Sequence, residues 1–219
     1  MKVSKSFVIA IVALVILLFA VSAFFYPQLP DKLASHWNAA GQADGYSSKF
    51  WGLFLLPIIS IAFTLLLVLI PKIDPLKANI EQFKGYYYGF IVVFLVFFLY
   101  LHVLTIIFNL GYMLNMTLFL IPAFATLFYF IGVMISKAKR NYFIGIRTPW
   151  TLASDSVWDK THALGGKLFK LAAIISLIGM LFGQYAIWFM LVPVMLSSVF
   201  IVVYSYLLFR KEVKPGATS

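Results

Sequence analysis

The sequence predicts an all-α, polytopic integral membrane protein with six transmembrane helices, and three observations lead there. Hydrophobic residues fill 63% of the 219 positions and charged residues only 11%. A soluble domain uses roughly 45–50% apolar and about 25% charged residues, and a fold of this length has too little interior to hide the surplus. The apolar residues are also gathered into runs. Crossing a hydrocarbon core of roughly 30 Å at about 1.5 Å per residue takes about 20 residues, and the runs match that length. Finally, the basic residues between the runs are distributed unevenly. The chain has no Cys, which removes disulfide and thiolate chemistry. With no internal repeat and no low-complexity linker, residues 1–219 read as a single membrane domain, helices one and two within 1–71 and helices three to six within 85–209.

Phe7 to Tyr26 supplies the first span. Its start, MKVSK, and the small-residue triplet VSA at 21–23 also fit a signal peptide. The apolar run exceeds the roughly 7–15 residues of such a segment, so a retained helix is expected rather than a cleaved leader. Trp51 to Ile70 is the second span. Gly85 to Ser136 carries no fixed charge and is too long for one crossing. NLGYMLN at 109–115 breaks it, because Asn and Gly favour a tight turn, leaving spans at about 86–108 and 116–135. Leu171 to Phe209 is again about twice a bilayer's need, and Gly183-Gln184 divides it into spans five and six. Pro57, Pro122 and Pro193 fall within spans, where neighbouring helices can satisfy the carbonyls that proline frees.

With the N-terminus inside, the inner segments hold 15 of the 17 basic residues, from Lys2 and Lys5 through Lys137 to Lys170 and on to Lys214; the outer loops hold Lys32 and Lys49. Lys and Arg accumulate on the cytoplasmic side of membrane proteins, so both termini are expected inside, in a multi-pass protein of the cell membrane. The net charge of +10 is thereby a topology signal, with attraction to anionic headgroups as its consequence. Direct nucleic-acid binding needs those charges on one face, and they are spread over four segments.

Between spans one and two, residues 26–51 form the sizeable outer loop. Pro27 and Pro30 oppose helix, and Gly41 and Asp44-Gly45 mark turns. Tyr26, Trp37, Tyr46 and Trp51 are rings suited to a headgroup boundary. His36, Asn38, Gly41 and Asp44 are the candidate outer recognition residues. With Asp31 they could make a loose metal site, but single ligands at irregular spacing do not build one; no metal and no cofactor are expected.

The inner loop, 136–170, is the largest polar segment. Pro149 pushes Thr148 out of the helical region, Thr151 can cap a following helix, and Asp155 sits in or near its first turn, where the dipole favours negative charge. Val157, Thr161, Leu164 and Leu168 recur at helical spacing. The expectation is an amphipathic interfacial helix between spans four and five, floated by Trp150 and Trp158 and kinked by Gly165-Gly166 into span five. Asp155, Asp159 and His162 share another face of it. They could hold a divalent cation or act as acid and base on a headgroup, or could be a surface pair beside a solvated His; the spacing lacks the HExxH pattern, which favours the latter. Arg147 could pair with either Asp or with a phosphate. Within the spans, His102 is the lone ionisable residue. It could be a relay, but a neutral His bonded to a neighbouring helix is the plainer reading.

These residues carry a resemblance. Asn141, then Gly145-Ile146-Arg147-Thr148-Pro149-Trp150-Thr151-Leu152, then Val157-Trp158, Thr161-His162 and Gly165-Gly166 resemble the cytoplasmic signature of the SdpI family of membrane proteins. Leu29-Pro30-Asp31, His36-Trp37-Asn38, Gly41 and Asp44 resemble the conserved N-terminal domain of unknown function that accompanies it. That resemblance implies immunity to, or sensing of, a secreted membrane-active peptide toxin, and for some members the holding of a small cytoplasmic transcriptional repressor at the membrane. It assigns Asn141, Gly145, Arg147, Thr148, Trp150, Trp158, Thr161 and His162 to the inner motif, for partner or headgroup binding, and His36, Asn38, Gly41 and Asp44 to the outer one. A non-enzymatic role is expected. The alternatives are a transporter or flippase for a lipid or apolar compound, with His102, Asn109 and Asn115 near its path, and a membrane-surface, metal-dependent enzyme using Asp155, Asp159 and His162.

Overall fold

A computed structural model of the protein describes residues 4–213; Lys2 and Lys214, which enter the charge count above, lie outside the described residues. Helix α1 spans Lys5–Phe25 and ends in a 3-10 turn at Tyr26–Gln28. Strands β1 (Lys32–Trp37) and β2 (Ala43–Ser48) follow, then α2 (Lys49–Ile73), a short α3 (Lys77–Gln82), α4 (Lys84–Asn109) and α5 (Met116–Ile135). After the inner loop come α6 (Pro149–Ala153), α7 (Asp155–Gly179), a 3-10 turn at Met180–Tyr185 and α8 (Ala186–Val213).

Five helical segments are long and apolar enough to cross a membrane: Lys5–Gln28, Lys49–Ile73, Lys84–Asn109, Met116–Ile135 and Asp155–Val213. The last is 59 residues long and contains both α7 and α8, because Phe182 and Gly183 leave helical geometry between them. The break falls where Gly183 predicts it. The turn at 109–115 is equally as expected, with Asn115 accepting from Leu118 N–H to cap α5.

Two expectations need correction. The membrane-crossing part is helical as expected, but the outer loop is not irregular: it is an antiparallel hairpin pairing Lys32 with Ser48 and Ala34 with Tyr46. Once Pro27 and Pro30 stop the helix, the chain turns back as two strands, and Leu33 is buried against the helices, where it packs with Leu29, Leu53 and Ile106. Nor is the amphipathic stretch from Asp155 a helix of its own. α7 runs unbroken from Asp155 to Gly179, so the polar stretch is the first half of a long helix and Gly165-Gly166 does not kink it. Instead the pair admits close packing: a Cβ on Gly166 would come within 2.6 Å of the Gly132 carbonyl, and one on Gly132 within 2.8 Å of the Gly166 carbonyl. Small residues let membrane helices approach this way.

One polar knot binds three helices. Pro57 denies the Leu53 carbonyl, four residues back, its helical donor. Ser22 of α1 supplies one, its hydroxyl donating to Leu53 O at 2.8 Å and lying 2.8 Å from His102 Nε2 of α4. His102 and Ser22 are fully buried. The plainer reading of His102, a hydrogen bond to a neighbouring helix, is the one seen.

Candidate functional site

At the inner end, the loop from 137 to 148 is built on Asn141. Its side chain is inaccessible to solvent, donates to Lys139 O at 2.8 Å and Ile144 O at 2.9 Å, and accepts from Phe143 N–H at 2.9 Å and Ile144 N–H at 2.6 Å. An amide can donate twice and accept repeatedly; a residue of another shape at 141 leaves four partners unsatisfied. Gly145 follows at φ +110°, a backbone conformation that L side chains rarely adopt, and a Cβ there would lie 2.5 Å from His162 Nε2. Only Gly combines that φ with that proximity.

His162 receives the loop. Ile146 N–H donates to its Nε2 at 2.9 Å, so Nε2 carries the lone pair, and Nδ1–H donates to Trp158 O at 2.8 Å. Both nitrogens are thereby occupied in the neutral form. Trp158 stacks on the imidazole with centroids 3.9 Å apart and donates Nε1–H to Ala138 O at 2.9 Å. Trp158 and Thr161 are fully buried and His162 nearly so. The expectation that Trp158 floats in the headgroups, and that His162 is solvated, is therefore wrong: the face of α7 expected to meet lipid or water meets the inner loop instead.

Thr148 caps α6 in a reciprocal pair with Thr151, and its hydroxyl lies 3.0 Å from Ser205 Oγ on α8. The cap of α7 is Ser154, not Thr151, with Asp155 in the first turn. Asp155 pairs with Arg140 at 2.7 Å and Asp159 with Lys139 at 3.6 Å, both carboxylates being exposed. Asp155, Asp159 and His162 thus do not converge, since each is engaged by a different neighbour. Among the described residues no group of three His, Cys, Asp or Glu is placed to hold a metal. Arg147 pairs with neither Asp; its guanidinium donates to Tyr142 O at 2.8 Å and stays exposed. Tyr142 and Phe143 are exposed beside it in sequence and Trp150 is half-buried against Tyr206.

Sequence reasoning missed Asp74. It is buried, accepts from Leu76 N–H at 2.6 Å and from Tyr142 N–H at 2.9 Å, and so ties the α2–α3 connection to the inner loop. Asn79 adds a second tie, donating to Arg140 O. An Asp beside a Pro in a short connection carries no distinctive signal for such a role.

At the outer end, Asn38 makes the hairpin turn: its side-chain oxygen accepts from Ala40 and Gln42 N–H, and its main chain pairs with Gln42 and Gly41. Gly41 sits at φ +79°, where a Cβ would collide with the Asn115 side chain. His36 Nδ1 lies 2.5 Å from Asp44 Oδ1, on the exposed side of the hairpin. Asn109 acts as a strand substitute: its oxygen accepts from Ala34 N–H at 2.7 Å and its amide donates to Ala34 O at 3.0 Å. Asn109 therefore fixes the hairpin to the end of α4, Thr117 of α5 donates to the hairpin turn at Ala39 O, and Asn115 caps α5 and packs beside Gly41. Between hairpin and turn lies a cleft of about 490 Å³, walled by Gly41, Ala43, Tyr46, Phe108, Met113 and Leu114. Met113, Tyr46 and Tyr112 are among the most exposed apolar residues of this end.

Residues 137–206 match the SdpI/YfhL protein family, and residues 13–61 match a domain of unknown function, DUF1648. The chain is 26% identical over 208 residues to the immunity protein SdpI of Bacillus subtilis (strain 168), across 94% of this chain and 97% of that protein. No solved structure matches the chain. The first match holds the inner loop from Lys137, α6, α7 and most of α8; the second holds the hairpin.

Proposed function

We propose that this relative of the SdpI/YfhL family is an immunity-type membrane protein, non-enzymatic, which meets a membrane-active peptide at its outer hairpin. The observation that carries the reading is the reach of the similarity to an immunity protein, which includes both polar segments. Six crossings with both termini in the cytoplasm follow the charge asymmetry and put the hairpin outside. There the cleft offers apolar walls and a rim of exposed Tyr and Met, complementary to the apolar face of an amphipathic peptide lying at headgroup depth. Met is adaptable and suits a surface that accepts variable apolar side chains. On the inner side the buried motif residues hold the loop, while Tyr142, Phe143, Arg147 and Trp150 are presented; these are the residues we assign to contact with a cytoplasmic repressor.

The test is a growth assay. A sensitive host expressing the chain, challenged with a panel of membrane-active peptides, is expected to tolerate several-fold more of at least one of them. Met113→Asp and Tyr46→Ala should each erase that gain at unchanged membrane abundance. Tolerance no higher than that of the empty host, or cleft variants as protective as the parent chain, rejects the reading.

A further inference from the structure

The lipid-facing side of the α5–α7 pair carries a second groove, remote from the hairpin. It is about 230 Å³ in volume, with Thr126, Tyr129 and Phe130 on α5 and Ala173, Ile174 and Leu177 on α7 as its main walls. The walls are mainly apolar. Helical periodicity extends both walls towards the end that bears the inner loop. On α7, Lys170 precedes Ala173 and Ile174 by one turn, and Lys167 precedes Ile174 by two. On α5, the face of Tyr129 and Phe130 continues to Val133, and Lys137 follows in the turn just past the helix end at Ile135. The Lys170 stem lies against Gly132 of α5, since a Cβ on that glycine would be 2.9 Å from Lys170 Cγ. Three lysines, Lys137, Lys167 and Lys170, thus belong to the inner-loop end of these two helices.

Those charges are not neutralised from within. The carboxylates of this end are taken elsewhere: Glu81 by Lys84, Asp155 by Arg140, Asp159 by Lys139, Glu212 by Lys160, and Asp74 by backbone N–H groups. No described carboxylate pairs with Lys137, Lys167 or Lys170. We propose that the groove is a binding site for one anionic phospholipid, with an acyl chain along Ile174 and Phe130 and the phosphodiester held by Lys137, Lys167 and Lys170. Basic pockets between membrane helices take anionic headgroups in this way, and the ammonium groups act as point charges that tolerate variation in the headgroup beyond the phosphate.

The site tests independently of any immunity role. The full chain, delipidated in mild detergent, is titrated with dioleoylphosphatidylglycerol or dioleoylphosphatidylcholine, and bound lipid is counted by native mass spectrometry. One phosphatidylglycerol should be retained at least about tenfold more tightly than phosphatidylcholine. The triple variant K137Q/K167Q/K170Q should lose that preference, and Ile174→Trp should lower the retention of both lipids, each with helical circular dichroism unchanged. The control R210Q/K211Q, which removes two charges from the end of α8, should keep the preference. Equal retention of the two lipids by the parent chain overturns the proposal, as does a preference that survives the triple variant. A preference lost equally in the control overturns it as well, because it would then reflect diffuse charge alone. Should the triple variant fail to fold, Ile174→Trp decides: undiminished retention of phosphatidylglycerol rejects the groove.

Discussion

At the scale of single residues, the inner signature separates into side chains that make the loop and side chains that the loop displays. His162 belongs to the first kind, since it accepts from Ile146, donates to Trp158 O and stacks on the Trp158 ring. Its replacement by Ala leaves the Ile146 N–H without its partner, at about 1–3 kcal/mol, in addition to the lost stack and the space the ring filled. His162→Ala should therefore destabilise the protein by about 2–4 kcal/mol, seen as a lowered Tm in detergent and as new proteolysis between 137 and 148. Gly145→Ala should do comparable damage through its φ and its proximity to the imidazole. Arg147→Ala removes an exposed group bonded to one carbonyl and should stay within about 0.5 kcal/mol of the parent. A melting point for Arg147→Ala as low as that for His162→Ala would mean that Arg147 is structural and not displayed. Sequence alone could place these residues in one motif but could not sort them. An Arg and a His at the edge of a membrane look alike as polar residues, and only the fold of the loop onto α7 shows which is enclosed.

At the scale of elements, the spans were legible because their signal is physical length: α1, α2, α4 and α5 begin and end within a few residues of the apolar runs. The Gly183 break was legible too, as a Gly in a run twice a bilayer's need. The hairpin was not. Residues 32–37 and 43–48 are short and mixed in polarity, and they are held by partners distant in sequence, Asn109 at Ala34 and Thr117 at Ala39. The first half of α7 was misplaced for a related reason. Trp158 and Thr161 have the pattern of a surface helix, and the element that covers them is an irregular loop whose position depends on Asp74 and Asn141. The dependence of hairpin on helix can be measured. Asn109→Leu keeps the volume roughly but leaves both backbone groups of Ala34 unpaired, and should cost about 2 kcal/mol. The loss should appear as faster amide exchange at 33–37, with exchange in the middle of α4 unaltered. Protection at 33–37 equal to that of the parent would mean that the strands hold themselves and that Asn109 is no anchor.

At the scale of the whole molecule, polar chemistry is divided between two ends separated by the length of the helices, about 30 Å for the 20 residues of α5. α1, α2 and α4 are bound at the outer end by Leu33 and the Ser22–His102 knot, and α5, α7 and α8 at the inner end by Gly132–Gly166 and Thr148–Ser205. An immunity role that reads an outer peptide and an inner partner requires those ends to lie on opposite sides of the bilayer. The chain has no Cys, so one can be introduced anywhere without background. Ser35 on the hairpin and Ser156 at the start of α7 are exposed small polar residues, and Cys should be tolerated at each. In intact cells a membrane-impermeant maleimide should label Ser35→Cys fully, and label Ser156→Cys only after permeabilisation. If Ser35→Cys were the protected position, the charge asymmetry would have been read with the wrong sign and the hairpin would face the cytoplasm. If both were labelled in intact cells, the chain would cross an even number of times between them, not the three of α2, α4 and α5. The peptide-capture reading then fails, and Lys137, Lys167 and Lys170 would be facing the outer leaflet.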